Sequence, residues 1–109
     1  MINWVTLNRI EQLQEVLQSD QTIAIFKHST TCGISGMAKK NFERFANLEA
    51  KSYNVYYLDL LAHRDISNEI ATIWQVEHQS PQLLILKGKE CLFHASHGDI
   101  DFDDIVKYL

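Results

Sequence analysis

Apolar side chains recur along the chain in two rhythms, one helical and one strand-like. Ile10, Leu13, Val16 and Leu17 fall on one face of a helix. That helix opens on a capping-box-like pair, Asn8 with Glu11 three residues on, and ends near Ser19-Asp20. Thr22 to His28 is β-branched and apolar, as a buried strand is. A polar turn, Ser29-Thr30-Thr31, leads into a long helical stretch reaching about Leu48, with Met37, Ala38, Phe42, Phe45 and Leu48 at helical spacing. Tyr53 to Asp59 reads as a second strand, and Asp65 to Trp74 as a shorter helix with Ile66, Ile70, Ile73 and Trp74 inward. Gln82–Lys87 and Glu90–Ala95, separated by Gly88, predict an antiparallel hairpin. Asp101, with Asp104 three residues later, starts a final helix that turns Ile105, Val106 and Leu109 inward.

Two strands joined through a helix form a parallel βαβ pair, and the hairpin with the last helix forms a ββα half. The sum predicts an α/β fold of three layers, a mixed central sheet of four to five strands with helices on both faces. A length of 109 residues fits one domain over 1–109, and four glycines and one proline leave no visible linker or repeat. Hydrophobic residues at 46% and charged residues at 22% describe an ordinary globular chain rather than a disordered or fibrous one. The net charge of −4 argues against nucleic-acid binding, which needs a basic face. No apolar run approaches the roughly 20 residues that cross a bilayer. Met1 to Thr6 carries no positive segment leading into an apolar one, so a cytoplasmic protein is expected.

In a reducing cytoplasm, the two cysteines Cys32 and Cys91 are not a disulfide framework, and one at a special position is a candidate reactive thiol. Cys32 is that residue, because Thr31-Cys32-Gly33-Ile34-Ser35 stands where a strand hands over to a helix. The first-turn amides of a helix lack intrahelical partners, and its dipole places positive charge at the same end. Both favour a thiolate. The dipole is worth about 0.3–1 kcal/mol and at most about 2, which carries a thiol only part of the way from its free pKa of about 8.5. Direct hydrogen bonds to sulfur must supply the rest, and the hydroxyl or backbone N–H of Ser35 is placed to give them. Cys-x-x-Ser also lacks a second thiol. An adduct on Cys32 must therefore wait for an external thiol, which makes the implied chemistry monothiol exchange. The competing reading is a small buried residue at a helix start.

Pro81, preceded by Ser80, opens a strand and is a candidate cis peptide whose turn leaves the Ser80 backbone free for an extended substrate. His28, His78 and His97 match no tight ligand spacing, so no metal is expected, and His78 is the histidine best placed as a site neighbour. Cys91 reads as a packing residue and Lys39-Lys40 as a solvated helix face. The aspartates Asp99, Asp101, Asp103 and Asp104 lack the glycine and glutamate of a calcium loop and suit a helix start.

A cysteine at a strand-to-helix junction, with a proline before a hairpin, resembles the thioredoxin superfamily. The stretches Ser29 to Ser35, Leu60 to Asn68, Val76 to Gln82 and Ser96-His97 narrow the resemblance to the YtxJ family of monothiol bacilliredoxins, over essentially the whole chain. Gly33 departs from the proline frequent at that position. The resemblance implies catalysis by Cys32 and Ser35, substrate binding by Thr31, Gly33, His78, Ser80 and Pro81, and no resident cofactor. It implies bacillithiol as cosubstrate and bacillithiolated client proteins as partners, and a monomer is expected. Bacillithiol joins cysteine to glucosamine and malate, and Lys27, His28, Arg64 and His78 are candidates to meet the malate carboxylates. Two rival readings stand beside it. Cys32-Gly33-Ile34-Ser35 is one residue from the Cys-Gly-Phe-Ser site of monothiol glutaredoxins that carry iron–sulfur clusters, although only Gly98-Asp99 stands where those relatives have paired glycines and an aspartate. The other is a non-catalytic thioredoxin-like interaction module with an inert Cys32.

Overall fold

The computed structural model describes residues 1–29 and 33–109, apart from the side chain of Ile34. In chain order the elements are β1 (Ile2–Thr6), α1 (Glu11–Gln18), β2 (Ile23–His28), α2 (Gly33–Ala46) and β3 (Tyr53–Asp59). There follow α3 (Arg64–Trp74), β4 (Gln82–Lys87), β5 (Glu90–Ser96), a 3-10 turn at His97–Asp99 and α4 (Asp103–Tyr108). The sheet order is β1-β3-β2-β4-β5. β3 runs parallel to both β1 and β2, and the hairpin adds β4 and β5 antiparallel. The mixed, three-layer α/β arrangement expected from the pattern is therefore present, with five strands.

Register assigns each side chain to a face. On β2, Ile23, Ile25 and Lys27 share one face with Leu84 and Gln82 of β4, while Ala24, Phe26 and His28 point the other way. The first face packs under α1 and α3, where Leu13, Val16, Ile66, Ile70 and Trp74 meet Ile25, Leu58, Leu84 and Leu86. The second packs under α2 and α4, where Phe42, Ala46 and Ile105 meet Phe26, Val55, Leu83 and Ile85.

Some details depart from the sequence reading. The strand β1 escaped it because Ile2-Asn3-Trp4-Val5-Thr6 is short and only half-buried, its place set by pairing with β3. The Asn8–Glu11 capping pair does not form. Instead Gln12 reaches back from within α1, its Oε1 accepting the N–H groups of Asn8 and Arg9 at 2.9 Å each and its Nε2 donating to the Thr6 carbonyl. An amide that both accepts and donates ties the turn at two points, which a carboxylate cannot. Asp101 accepts the Asp103 N–H at 2.9 Å, so α4 starts after that turn, and Val106 is left 42% exposed while Ile105 is buried. On α2 the apolar stripe Ala38-Phe42-Ala46 packs against the sheet, while Met37 and Phe45, and Leu48 beyond the helix end, lie exposed. Among the described residues no helix is long and apolar enough to cross a membrane.

Candidate active site

The C-terminal ends of β2 and β3, the start of α2 and the turn before β4 converge on one end of the sheet. Thr31 and Cys32 lie outside the described residues. Their neighbours define the setting. Gly33, next in sequence to Cys32, is exposed and opens α2, and a Cβ added there would meet no other atom.

Ser35, on the first turn of α2, has no exposed surface. Its Oγ lies 2.7 Å from His28 Nδ1 and accepts the Ser29 N–H at 3.1 Å. The hydroxyl carries one proton. With Nδ1 bare, that proton is donated to His28 and none remains for a sulfur; with Nδ1 protonated, Ser35 accepts twice and its proton is free. The hydrogen bond to sulfur expected of the Ser35 hydroxyl is thus conditional on the tautomer of His28. Burial, with Lys39 adding to it, holds His28 below the ordinary imidazole range, while Asp59 opposes the shift.

Lys39 is not the solvated residue that the sequence suggests. Its Nζ lies 4.9 Å from the Trp4 ring and 5.5 Å from that of Tyr57, and it pairs with Glu43 at 3.4 Å. Glu43 in turn accepts the Trp4 indole N–H at 3.0 Å. Attraction to two ring faces holds the ammonium beside the sheet, whereas Lys40 is exposed.

On the opposite face, Lys27 is fully buried, and its Nζ has no hydrogen-bond partner among the described residues. Burial pushes the Lys27 ammonium down to about 8. Its cross-strand neighbour is Gln82. Gln82 donates Nε2 to the Glu77 carbonyl at 3.0 Å, but its Oε1 is buried without a partner. Nearby, the Ser80–Pro81 peptide is cis, as its place before the strand suggested, and the Ser80 Oγ is a third buried polar atom without a partner. His78 is exposed, with Nδ1 3.1 Å from the Ser67 Oγ. Burial first, then Lys27 and Arg64, lower its pKa. The resemblance singles out Lys27 as a candidate cation but not its burial, for which a lysine within a strand covered on both faces is the signal.

His97, with φ of 54°, donates its backbone N–H to the Pro81 carbonyl at 3.1 Å and so ties the turn after β5 to the start of β4. Gly98 and Asp99 lie in that 3-10 turn, near Met37 and Asn41 of α2. Cys91 stands at the other end of β5, paired with Leu86, whereas Ser96 pairs with Gln82 at the site end. Burial pushes the Cys91 thiol up, and its Sγ donates to the Phe93 carbonyl at 3.4 Å. A surface cleft of 520 Å³, lined by Thr22, Ile23, Ser52 and Tyr53 among others, opens at the N-terminal ends of β2 and β3, away from this constellation.

Residues 5–105 match the family described as monothiol bacilliredoxin BrxC. The chain belongs to this family. A solved thioredoxin-fold protein described as an oxidoreductase is 30% identical, with a TM-score of 0.81, over 96% of this chain and 92% of its own. The thioredoxin of Trypanosoma brucei brucei, 19% identical, superposes with a TM-score of 0.67 over 96% of this chain and 92% of its own. That of Malassezia sympodialis, also 19% identical, gives 0.65 over 94% and 84%. The last two likenesses speak for the fold alone. The bacilliredoxin match and the 30%-identical thioredoxin-fold neighbour together make this chain a thioredoxin-fold thiol oxidoreductase.

Proposed function

We propose that this bacilliredoxin removes bacillithiol from mixed disulfides on cytoplasmic proteins through Cys32. The Cys32 thiolate attacks the bacillithiol sulfur of a client–S–S–bacillithiol bond. The client sulfur leaves as a thiolate and takes a proton from water, and Cys32–S–S–bacillithiol remains. The thiolate of a second small thiol then attacks the bacillithiol sulfur of that adduct. This regenerates the Cys32 thiolate and carries bacillithiol away as a disulfide. Ser35 holds the place of a resolving thiol without being able to act as one. Thr31, Gly33, His78, Ser80 and Pro81 surround the substrate in this scheme, and no resident cofactor takes part.

The observation that carries the reading is the bacilliredoxin match across residues 5–105, which spans Cys32, Ser35 and the cis Ser80–Pro81 turn. The start of α2 at Gly33 supports it, because amides without intrahelical partners gather at the residue after Cys32. The test is incubation with a bacillithiolated client, followed by intact mass. One bacillithiol should move to the wild-type chain and to Cys91→Ser, and none to Cys32→Ser. Transfer from a glutathionylated client with none from the bacillithiolated one would overturn the proposal.

A further inference from the structure

Among the described residues, three buried polar side-chain atoms stand without partners, and all belong to the segments that meet around the start of β4: Lys27 Nζ, Ser80 Oγ and Gln82 Oε1. Such groups are rare in folded proteins, because each gives up hydration with nothing in return. A buried ammonium is the costliest of them unless a counter-charge meets it. None does so here. Among the described residues, burial is what lowers the Lys27 pKa, no carboxylate opposes it, and the charged groups that bear on His78 are Lys27 and Arg64, both positive. In a chain of net charge −4, three basic side chains share one end of the sheet, and among the described residues none of them forms an ion pair.

We propose that Lys27, with Ser80 and Gln82 beside it and Arg64 and His78 at the rim, forms a subsite for a carboxylate of the thiol cosubstrate. This rests on the exchange reading above and deepens it. Lys27 Nζ is a compact charge on a flexible four-carbon stem, with three donors and no bond to hold it in place. It can therefore swing toward an anion arriving at the exposed His78 rim, while the Ser80 hydroxyl donates to the same anion. Gln82 Oε1 accepts and does not donate, so it favours a ligand that brings a hydroxyl alongside its carboxylate, as a glucosamine bearing malate does through its sugar hydroxyls. The structure also divides the four basic candidates. His28 points to the opposite face of the sheet and is engaged by Ser35, which leaves Lys27, Arg64 and His78 to the anion.

The experiment has two arms. In the first, wild type, Lys27→Met and Lys27→Arg react with bacillithiol disulfide and with the same disulfide carrying its malate carboxylates as methyl esters. Adduct formation is followed by intact mass. Wild type should prefer the free acid by about tenfold or more, the value of a charge-assisted hydrogen bond. Lys27→Met should bring the acid-to-ester ratio close to one, and Lys27→Arg should keep most of it. In the second arm, malate alone is titrated into Cys32→Ser protein and read by amide chemical shifts. Saturable shifts at Arg64, Ser67 and His78 are expected, and Lys27→Met should abolish them. An unchanged ratio in Lys27→Met, or malate shifts that survive it, would overturn the subsite while leaving the exchange reading in place. Failure of wild type to accept bacillithiol would defeat the exchange reading, and the malate arm would then decide the subsite by itself.

Discussion

Lys27 sets the sharpest energetic problem at the scale of single residues. Its folded pKa of about 8 lies below the ordinary value of 10.5, so the folded chain resists protonation that the unfolded chain accepts. The resulting penalty is fully present below pH 8, shrinks between pH 8 and 10.5, and is gone above that range. At 1.36 kcal/mol for each pKa unit it reaches about 3 kcal/mol. Lys27→Met should therefore unfold at higher urea concentration than wild type at pH 7, with the gain fading by pH 10.5. A gain independent of pH would mean that packing, not charge, is the cause. Ser35 makes the opposite case. Ser35→Ala removes the partner of His28 Nδ1 in a buried site, which should cost about 1–3 kcal/mol in the same assay. The sequence placed Ser35 on the first turn of the helix after Cys32, and the family resemblance made Lys27 and His28 candidates for the malate carboxylates. It did not reveal which were buried or already bonded, because that depends on β3, β4 and α3 closing over them from elsewhere in the chain.

Most elements were legible from local patterning. The strands Tyr53–Asp59 and Gln82–Lys87 keep their expected limits, and the other elements move by one to three residues at their ends. Where the reading failed, tertiary contacts decided. The edge strand β1 depends on a partner some fifty positions away in sequence, and Gln12 took over a capping role assigned to its neighbours. Glycine positions test whether these elements are as firm as they look. Gly36 lies inside α2 with space around its Cβ position, so Gly36→Ala should stabilise the protein by about 1 kcal/mol. Gly88 takes φ of +57° in the β4–β5 turn, and its carbonyl accepts the Trp74 indole N–H at 2.9 Å. There an alanine is strained in the left-handed region, and Gly88→Ala should lower stability by roughly 1 kcal/mol or more. Thermal unfolding of the two variants, read for opposite signs, checks both.

Across the whole molecule, β5 carries Cys91 at its far end. From Cys91 to Ser96, β5 covers roughly 16 Å at the rise of an extended strand, so Cys91 stands well away from the end where Gln82 pairs with Ser96. With burial also raising its pKa, Cys91 should stay unalkylated by iodoacetamide at neutral pH under conditions that label Cys32. Peptide mapping after brief exposure would show the modified position.

Trp4 gives this architecture an unforced consequence. Its indole lies edge-on to Phe26 and Tyr57, centroids 5.8 and 5.9 Å away, and both of those rings neighbour His28. Trp74 sits against the other face of the sheet, bonded to Gly88. In a Trp74→Phe background, the emission of Trp4 should therefore change in step with each loading and discharge of Cys32, and remain flat in Cys32→Ser. The molecule would then carry its own fluorophore, through which turnover could be timed in a stopped-flow cell without any added dye.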